Sequence, residues 1–398
     1  MSIPLHDEAL ALKSEMVVRR RDLHRHPELA FEEVRTAGII AAALQELGLE
    51  VQTGIGRTGV VALLDGAHDG PTLLIRADMD ALPIHEENRV DYASTVPGKM
   101  HACGHDGHVS IGLAVARMLS RRREAMRGRV KFVFQPAEEI GKGAQAMIAD
   151  GVLADPRPDY SVGLHLWNVL PVGTVAVTPG PMMSAADDWS CVITGQGGHG
   201  ASPHETHDPI VAAAQIVTAL QTVVSRNVAP LDCAVVTVGS IHGGQAFNVI
   251  PPTVELCGTI RTYQPDVQAT VRSRLRSLCE GIAAAMQCRA ELTITPMTSA
   301  VDNNPALAER VAAIAAGVVG RDNVRTDERT MGSEDMAYFM ADIPGCYFFV
   351  GSSNSERGLH HPHHSPHFDF DEDALVIGAE ILARVAASFV LPDRGIGA

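Results

Sequence analysis

Short apolar runs alternate with helical patterns along the first part of the chain. The runs at 72–76, 130–134 and 160–164 predict buried strands. The segments at 109–119 and 144–150 predict helices between them. Continuous apolar strands separated by helices are typical of sheets covered on both faces. The pattern therefore predicts an α/β domain with a mainly parallel sheet flanked by helices.

The predicted order changes near residue 187. From there the chain predicts, in sequence, a strand, a helix, two strands, a helix and a strand, at 189–194, 208–224, 234–240, 253–262, 266–286 and 290–295. This β-α-β-β-α-β order is the ferredoxin-like arrangement. We therefore predict a ferredoxin-like domain at 187–296, inserted into a domain formed by 1–186 and 297–398.

Composition and charge exclude some functions. The chain has 398 residues and a formal net charge of −15, which argues against a nucleic-acid partner because such proteins need a basic face. The apolar runs are too short to span a membrane, so no membrane partner is expected. Seven cysteines spread over a long chain do not resemble a disulfide framework, and no signal-peptide core begins the sequence. These features predict a cytoplasmic protein.

Residues 100–108, MHACGHDGH, concentrate metal-binding chemistry. They hold three histidines, one cysteine and one aspartate within nine residues. Thiolate and imidazole are the ligands that zinc and neighbouring divalent metals prefer. A helix is predicted directly after them, so we expect the positive end of its dipole to favour a Cys103 thiolate.

Further polar residues follow the predicted strands. Asp78 and Asp80 come after the first run, Glu138 and Glu139 after the second, and His165 after the third. In open α/β sheets, ligands bind at the edge formed by the carboxyl ends of the strands. We therefore expect these side chains to meet the 100–108 cluster there.

Residue types alone do not decide which role each residue of this set has. One of Glu138 and Glu139 could ligate metal while the other accepts a proton from an attacking water. Asp78 and Asp80 could ligate metal, orient a ligand histidine or cap a helix. The histidine-rich run at 360–367 is too dense for one site, so most of its imidazoles should lie on the surface.

The inserted domain offers possible substrate-binding groups. His199 lies in the glycine-rich segment 197–204 and could donate to a substrate oxygen. Asn248 and Arg261 could bind a carboxylate, which suits the forked geometry of arginine. The sequence carries no nucleophile elbow, P-loop or dinucleotide fingerprint, so serine hydrolase, NTPase and Rossmann oxidoreductase functions lack support.

Taken together, these stretches resemble the M20 metallopeptidase and aminoacylase family, most closely its branch of hippurate hydrolases, N-acyl-amino-acid amidohydrolases and auxin-conjugate hydrolases. The resemblance runs nearly from end to end. Besides residues 100–108, it rests on the motifs DLHRHPE at 22–28, RADMDALP at 76–83, QPAEE at 135–139, GLH at 163–165, GGHGA at 197–201, FNVIP at 247–251 and HSPHFDF at 364–370.

The resemblance implies two divalent metal ions per subunit. The implied ligands are Cys103, His105, Glu139, His165 and His364. It also implies that Glu138 is the general base, that Asp80 supports the ligands, that His199 arrives from the partner subunit of a dimer, and that Asn248 and Arg261 meet the substrate carboxylate. His361 is the alternative to His364 as a ligand. The metal could be zinc, manganese, cobalt or nickel, and a tetramer is the alternative to a homodimer.

The expected activity is hydrolysis of the amide bond of N-acyl amino acids such as hippurate-like, acetyl or indoleacetyl conjugates. A dipeptidase or carboxypeptidase of the same architecture is the alternative, because its metal centre would have the same sequence signature. A third hypothesis is a non-catalytic metal-binding or receptor protein on this scaffold. The complete ligand set and Glu138 argue against that third hypothesis.

Overall fold

The computed structural model of the chain describes residues 4–392. They form two compact units. The first runs up to Gly180 and also includes Asp302–Arg329 and the described residues from Asp335 onward, and the second consists of Pro181–Val301 and Thr330–Glu334. Within residues 4–392, no helix is both long and apolar enough to cross a bilayer.

The helices are named in chain order. They are α1 (Leu5–Ala11), α2 (Lys13–Arg25), α3 (Val34–Glu46), α4 (His105–Ser120), α5 (Gly143–Ala149), α6 (Pro209–Asn227), α7 (Pro265–Ala285), α8 (Pro305–Val319), α9 (Met336–Asp342) and α10 (Asp373–Val390).

The strands are named in the same way. They are β1 (Glu50–Ile55), β2 (Gly59–Asp65), β3 (His68–Asp78), β4 (Arg127–Gln135), β5 (Tyr160–Pro171), β6 (Val175–Ala176), β7 (Gly180–Met183), β8 (Ala185–Thr194), β9 (Gly198–His199), β10 (Ala234–Gly243), β11 (Val249–Ile250), β12 (Thr253–Thr262), β13 (Arg289–Thr298), β14 (Val301–Asn303), β15 (Val324–Arg325) and β16 (Gly345–Ser353).

The first unit is built on an eight-stranded sheet in the order β1-β2-β4-β3-β5-β16-β6-β15. The central strands β4, β3, β5 and β16 are parallel, and antiparallel pairs flank them. Leu164 of β5 packs near Gly378 of α10, whereas Ser161 lies against Gly345 beside Met340 of α9. Because strand side chains alternate between faces, α9 and α10 cover opposite faces of the sheet. The predicted mainly parallel sheet flanked by helices is confirmed.

Strand register brings the polar residues to one level. Asp78 at the end of β3 pairs with Gln135 at the end of β4. Arg76 pairs with Gly163 in the parallel β3–β5 register, so His165 lies at the same height along the strands as Asp78. One detail differs from the sequence prediction, because β5 continues to Pro171 and His165 lies inside it. His165 therefore reaches this level through register and not because its strand ends there.

The second unit contains a four-stranded antiparallel sheet in the order β10-β12-β8-β13. With α6 after its first strand and α7 after its third, this is the predicted ferredoxin-like arrangement. Alternate residues of β8, Trp189, Cys191 and Ile193, are buried in one hydrophobic cluster with residues of α6 and α7. The period of two along β8 is the reason its other face remains more exposed.

Candidate metal centre

Three donors come from the MHACGHDGH cluster and β5. Cys103 Sγ lies 3.5 Å from His165 Nε2. Ligand atoms of Cys103, His105 and His165 all lie within 4.8 Å of one another, and the three residues are buried. The helix begins at His105, inside the cluster, because Gly104 adopts φ +88° and turns the chain into the first helical turn.

Glu138 and Glu139 approach the same imidazole. Their carboxylates each lie 3.9 Å from His105 Nε2. The two residues lie in a tight 3-10 turn, Glu138–Ile140, that brings both carboxylates toward His105. The carboxylate of Asp80 fixes this turn by accepting the backbone N–H groups of Glu138 at 3.1 Å and Glu139 at 3.0 Å.

The backbone around the two glutamates is unusually constrained. Ala137 adopts φ +54°, and its N–H donates to the buried carboxylate of Glu33 at 2.9 Å. A Cβ atom on Gly143 would lie 1.6 Å from the carbonyl oxygen of Pro136, so only glycine fits there. Strained conformations persist where the surroundings determine them, as at ligand-binding sites. No sequence motif marks Glu33 as part of this site.

The histidine-rich run contributes His364. Its Nε2 atom lies 3.3 Å from Glu139 Oε2. His364 has φ +64°, and its N–H donates to the carbonyl of Ala102 at 2.8 Å, which joins the run to the cysteine cluster. The ring of His361 lies elsewhere, beside His360 and His367.

Two of the predicted ligand histidines are oriented by carbonyl groups. His105 Nδ1 donates to the carbonyl of Asp80 at 2.9 Å, and His165 Nδ1 donates to the carbonyl of Leu166 at 2.7 Å. In the neutral form of each ring, Nε2 therefore carries a lone pair toward the cluster. Within residues 4–392, His105 Nε2 and Glu139 Oε1 are buried and have no hydrogen-bond partner. Buried polar atoms without partners are costly, and divalent ions would satisfy both, so the donor set fits a metal centre.

Asp78 and His108 lie next to this set, but they already form hydrogen bonds with each other and with neighbouring groups. His108 Nδ1 donates to Asp78, while its Nε2 accepts the N–H of Leu166 at 2.9 Å. The guanidinium of Arg76 donates to the other oxygen of Asp78 at 2.6 Å. Burial alone would raise the pKa of Asp78, but Arg76, His105 and His108 hold it well below its usual range.

The protonation states of Cys103 and His105 depend on whether metal ions are bound beside them. Burial, reinforced by Glu139 and Glu138, raises the pKa of the Cys103 thiol well above its usual range. This corrects the expected helix-end effect, since burial and the neighbouring carboxylates outweigh it. Although burial opposes it, Asp78 and Asp80 raise the pKa of His105 to about 10. Without bound cations, Cys103 is therefore a thiol and His105 an imidazolium, and bound cations would favour the thiolate and the neutral imidazole.

A buried ionic network supports the start of α4. The carboxylate of Asp106 lies 3.0 Å from Arg20 Nε and 2.8 Å from His24 Nδ1. Arg20 also contacts Asp369 at 2.7 Å. The sequence pattern did not predict this network. Its one available signal was the four-residue spacing that places Arg20 and His24 on the same face of α2.

The proposed substrate-binding residues lie in the second unit. His199 and Val249 pair in a short antiparallel ribbon, so Asn248 lies next to His199. His199 Nδ1 accepts the N–H of Ala201 at 3.0 Å, which leaves the proton on Nε2. Separately, Arg261 on β12 donates to Ser333 Oγ at 2.8 Å, and its burial lowers the pKa of the guanidinium.

Comparison with known proteins identifies the family. Residues 74–388 match the sequence model of Peptidase family M20/M25/M40. The chain belongs to this family. It is an M20-family hydrolase, so the predicted family and the prediction of an enzyme are confirmed.

Two curated relatives and one solved structure illustrate the likeness. An N-acetylcysteine deacetylase of Bacillus subtilis is 40% identical over 377 residues, which cover 94% of this chain and 97% of that one. An IAA-amino acid hydrolase of Arabidopsis thaliana is 37% identical, covering 94% of this chain and 86% of that one. The crystal structure of a dinuclear metal binding M20 peptidase of Bacillus subtilis is 36% identical with a TM-score of 0.82, covering 95% of this chain and 98% of that one.

Proposed function

We propose that this hydrolase cleaves the amide bond of N-acyl amino acids at a centre holding two divalent metal ions. One observation carries the proposal. Donor atoms from four distant segments lie within 4.8 Å of one another in two groups of three that share Cys103, and two buried donor atoms have no hydrogen-bond partner among residues 4–392. The proposed ligands are Cys103, His105, Glu139, His165 and His364.

When bound, the two ions would polarise the substrate carbonyl and make water more acidic. Thiolate, imidazole and carboxylate donors suit zinc, and they also accept manganese, cobalt or nickel. Asp80 holds His105 through its carbonyl and holds the Glu138–Glu139 turn through its carboxylate. Its role is therefore to position both a ligand and the base.

Glu138 is the proposed general base. Its carboxylate lies 3.9 Å from His105 Nε2, at the edge of the donor set. It takes a proton from the water whose oxygen attacks the amide carbon. It then gives that proton to the nitrogen of the leaving amine as the carbon–nitrogen bond breaks. The products are a carboxylic acid and a free amino acid.

Residues of the second unit are proposed to bind the substrate. His199 carries its proton on Nε2 and can donate to the carbonyl oxygen as charge develops there. Asn248 and Arg261 would bind the carboxylate of the amino-acid half. The names of the two relatives, a deacetylase and an amino-acid conjugate hydrolase, support this substrate class.

We also propose a homodimer in which His199 serves the partner's site, with a tetramer as the larger alternative. Phe247 and Val249, next to Asn248, are large apolar residues that are exposed to solvent in the isolated subunit. Exposed apolar residues commonly mark interfaces. All seven cysteines are free thiols, which suits our proposal of a cytoplasmic location.

A substrate panel tests the proposed function. The metal-reconstituted protein is given benzoyl-, acetyl- and indoleacetyl-amino acids and, in parallel, dipeptides with free amino groups. We expect hydrolysis of acyl amino acids, its loss with chelator and its return with added metal. Hydrolysis of dipeptides alone would replace the proposal with a dipeptidase or carboxypeptidase. Bound metal without hydrolysis of any panel member would favour a binding protein.

A further inference from the structure

Three imidazoles of the histidine-rich run lie together outside the metal centre. We call His360, His361, His367 and Glu87 the surface histidine cluster. The ring centroids of His360 and His361 are 5.0 Å apart, and those of His361 and His367 are 5.2 Å apart. His367 Nε2 lies 3.1 Å from a carboxylate oxygen of Glu87. The four side chains therefore form a continuous row of metal-ligating neighbours, whose ligand atoms do not all lie within 4.8 Å of one another before the side chains rotate.

The backbone of this cluster is fixed. The carbonyl of His361 accepts from Asn168 Nδ2 at 2.9 Å. The N–H of Glu87 donates to the carbonyl of Pro366 at 2.9 Å, which ties the segment carrying the carboxylate to the histidine-rich run. The side chains themselves reach solvent, since those of His367 and Glu87 are 43% and 57% exposed. The donors are thus held near one another while remaining open to an ion from solution.

The spacing matches that of imidazoles sharing one ion. With metal–nitrogen bonds of about 2.0–2.1 Å, two imidazoles on a tetrahedral ion have centroids about 5 Å apart. Both measured separations are close to this value. The rings of His360 and His361 are now stacked at 19°, so binding requires rotation about the Cβ–Cγ bond. That torsion is broad for histidine, and both side chains at least partly face solvent.

His363 and His364, which lie between His361 and His367 in the sequence, do not belong to this cluster. His363 stacks on Trp167, and its Nε2 donates to the carbonyl of Leu166 at 3.0 Å. His364 points to Glu139 in the buried centre. The run therefore divides by contact: His363 and His364 contact Leu166 and Glu139, whereas His360, His361 and His367 contact one another.

We propose that the surface histidine cluster binds one divalent transition-metal ion in addition to those of the buried centre. Three imidazoles and one carboxylate suit zinc, nickel or copper and disfavour magnesium or calcium. The two sites share no ligand. The proposal does not depend on the proposed substrate or on catalysis.

The test counts bound metal on the full chain without an affinity tag. Wild type and the double variant His361→Asn, His367→Asn are loaded with zinc and desalted. They are then dialysed against Ni²⁺, and total zinc plus nickel per chain is measured. We expect wild type to hold one more metal ion per chain than the double variant. His68→Asn, which removes an exposed imidazole at the start of β3, should match wild type.

Two results would overturn the proposal. One is equal metal content and equal Ni²⁺ affinity in wild type and the double variant. The other is an equal loss in the His68→Asn control, which would mean nonspecific imidazole binding. Zinc retained after desalting and before dialysis reports the buried centre independently. A double variant that keeps that zinc but loses the extra ion supports the surface site, and Glu87→Gln should weaken it as well.

Discussion

The Nδ1 atom of His108 lies 2.5 Å from Oδ1 of Asp78. Since Nδ1 donates to Asp78 and Nε2 of the same ring accepts the N–H of Leu166, His108 has no lone pair left for a metal ion. The bond therefore excludes the nearby group of Asp78, His105 and His108 as a third metal site, although their ligand atoms lie within 4.8 Å of one another. The bond from the Leu166 N–H to His108 also fixes the backbone next to the proposed ligand His165.

Replacing His108 should weaken both stability and metal binding. His108→Ala leaves the Asp78 carboxylate and the Leu166 N–H with one partner fewer each in a buried place. We expect a loss of about 2–4 kcal/mol in unfolding free energy, and about 10–100-fold weaker metal affinity. Urea unfolding and metal competition with a chromophoric chelator measure the two effects. His85→Ala, at an exposed histidine, is the control, and wild-type values for His108→Ala would contradict this role.

Glu138→Gln should remove the general base and leave the metal centre intact. The amide keeps the size of the side chain but cannot accept the proton of water. We expect kcat to fall about 10²–10⁴-fold with unchanged metal content. Steady-state kinetics and elemental analysis are the measurements, with Glu309→Gln on the exposed face of α8 as the control. Wild-type turnover in Glu138→Gln with full metal content would rule out the proposed role.

The buried arginine should matter far more than an exposed one. Arg20→Met would leave the carboxylates of Asp106 and Asp369 without their main cation. Breaking such a buried pair costs about 3–5 kcal/mol. Arg289 pairs with Glu291 at 2.7 Å, but their side chains are 78% and 60% exposed. Arg289→Met should therefore change stability by less than about 0.5 kcal/mol. Thermal unfolding compares the two variants, and equal melting temperatures would refute the network's importance.

Lys131 should make the free energy of unfolding change with pH in the alkaline range. Burial lowers the pKa of its ammonium from 10.5 to about 8 in the folded protein. Between these values the unfolded chain binds more protons, so Lys131's contribution to the unfolding free energy rises with pH. From pH 8 to pH 10 we expect wild type to gain about 2 kcal/mol relative to Lys131→Met. Urea unfolding at both pH values measures this, and parallel pH profiles would contradict the expected shift.

Removing the metals should leave Cys103 unreactive. Its raised pKa keeps the thiol protonated in the metal-free protein. Cys233 is exposed and provides an internal control. At pH 8 we expect iodoacetamide to modify Cys103 at least about 10-fold more slowly than Cys233, because the thiolate is the reacting form. Peptide mass spectrometry follows both sites, and comparable rates would show that the carboxylates do not control this thiol.

Much of the architecture could be predicted because its signals are local. The apolar strands and the β-α-β-β-α-β order reflect burial patterns that repeat every two or 3.6 residues. The segment 100–108 likewise carries its chemistry within nine residues. The register that sets His165 beside the level of Asp78 could not be predicted, because it depends on pairing between strands far apart in the chain.

The fold class, the family and the kinds of donor that this protein offers follow from its residue pattern alone. How those donors are used depends on the folded chain. It placed His364 beside Glu139 and His361 beside His367, and it bonded His108 to Asp78. The physical reason is that a side chain's chemistry is set by its residue type. Its protonation and its partners, in contrast, are set by burial and by charges that distant segments bring within a few ångströms.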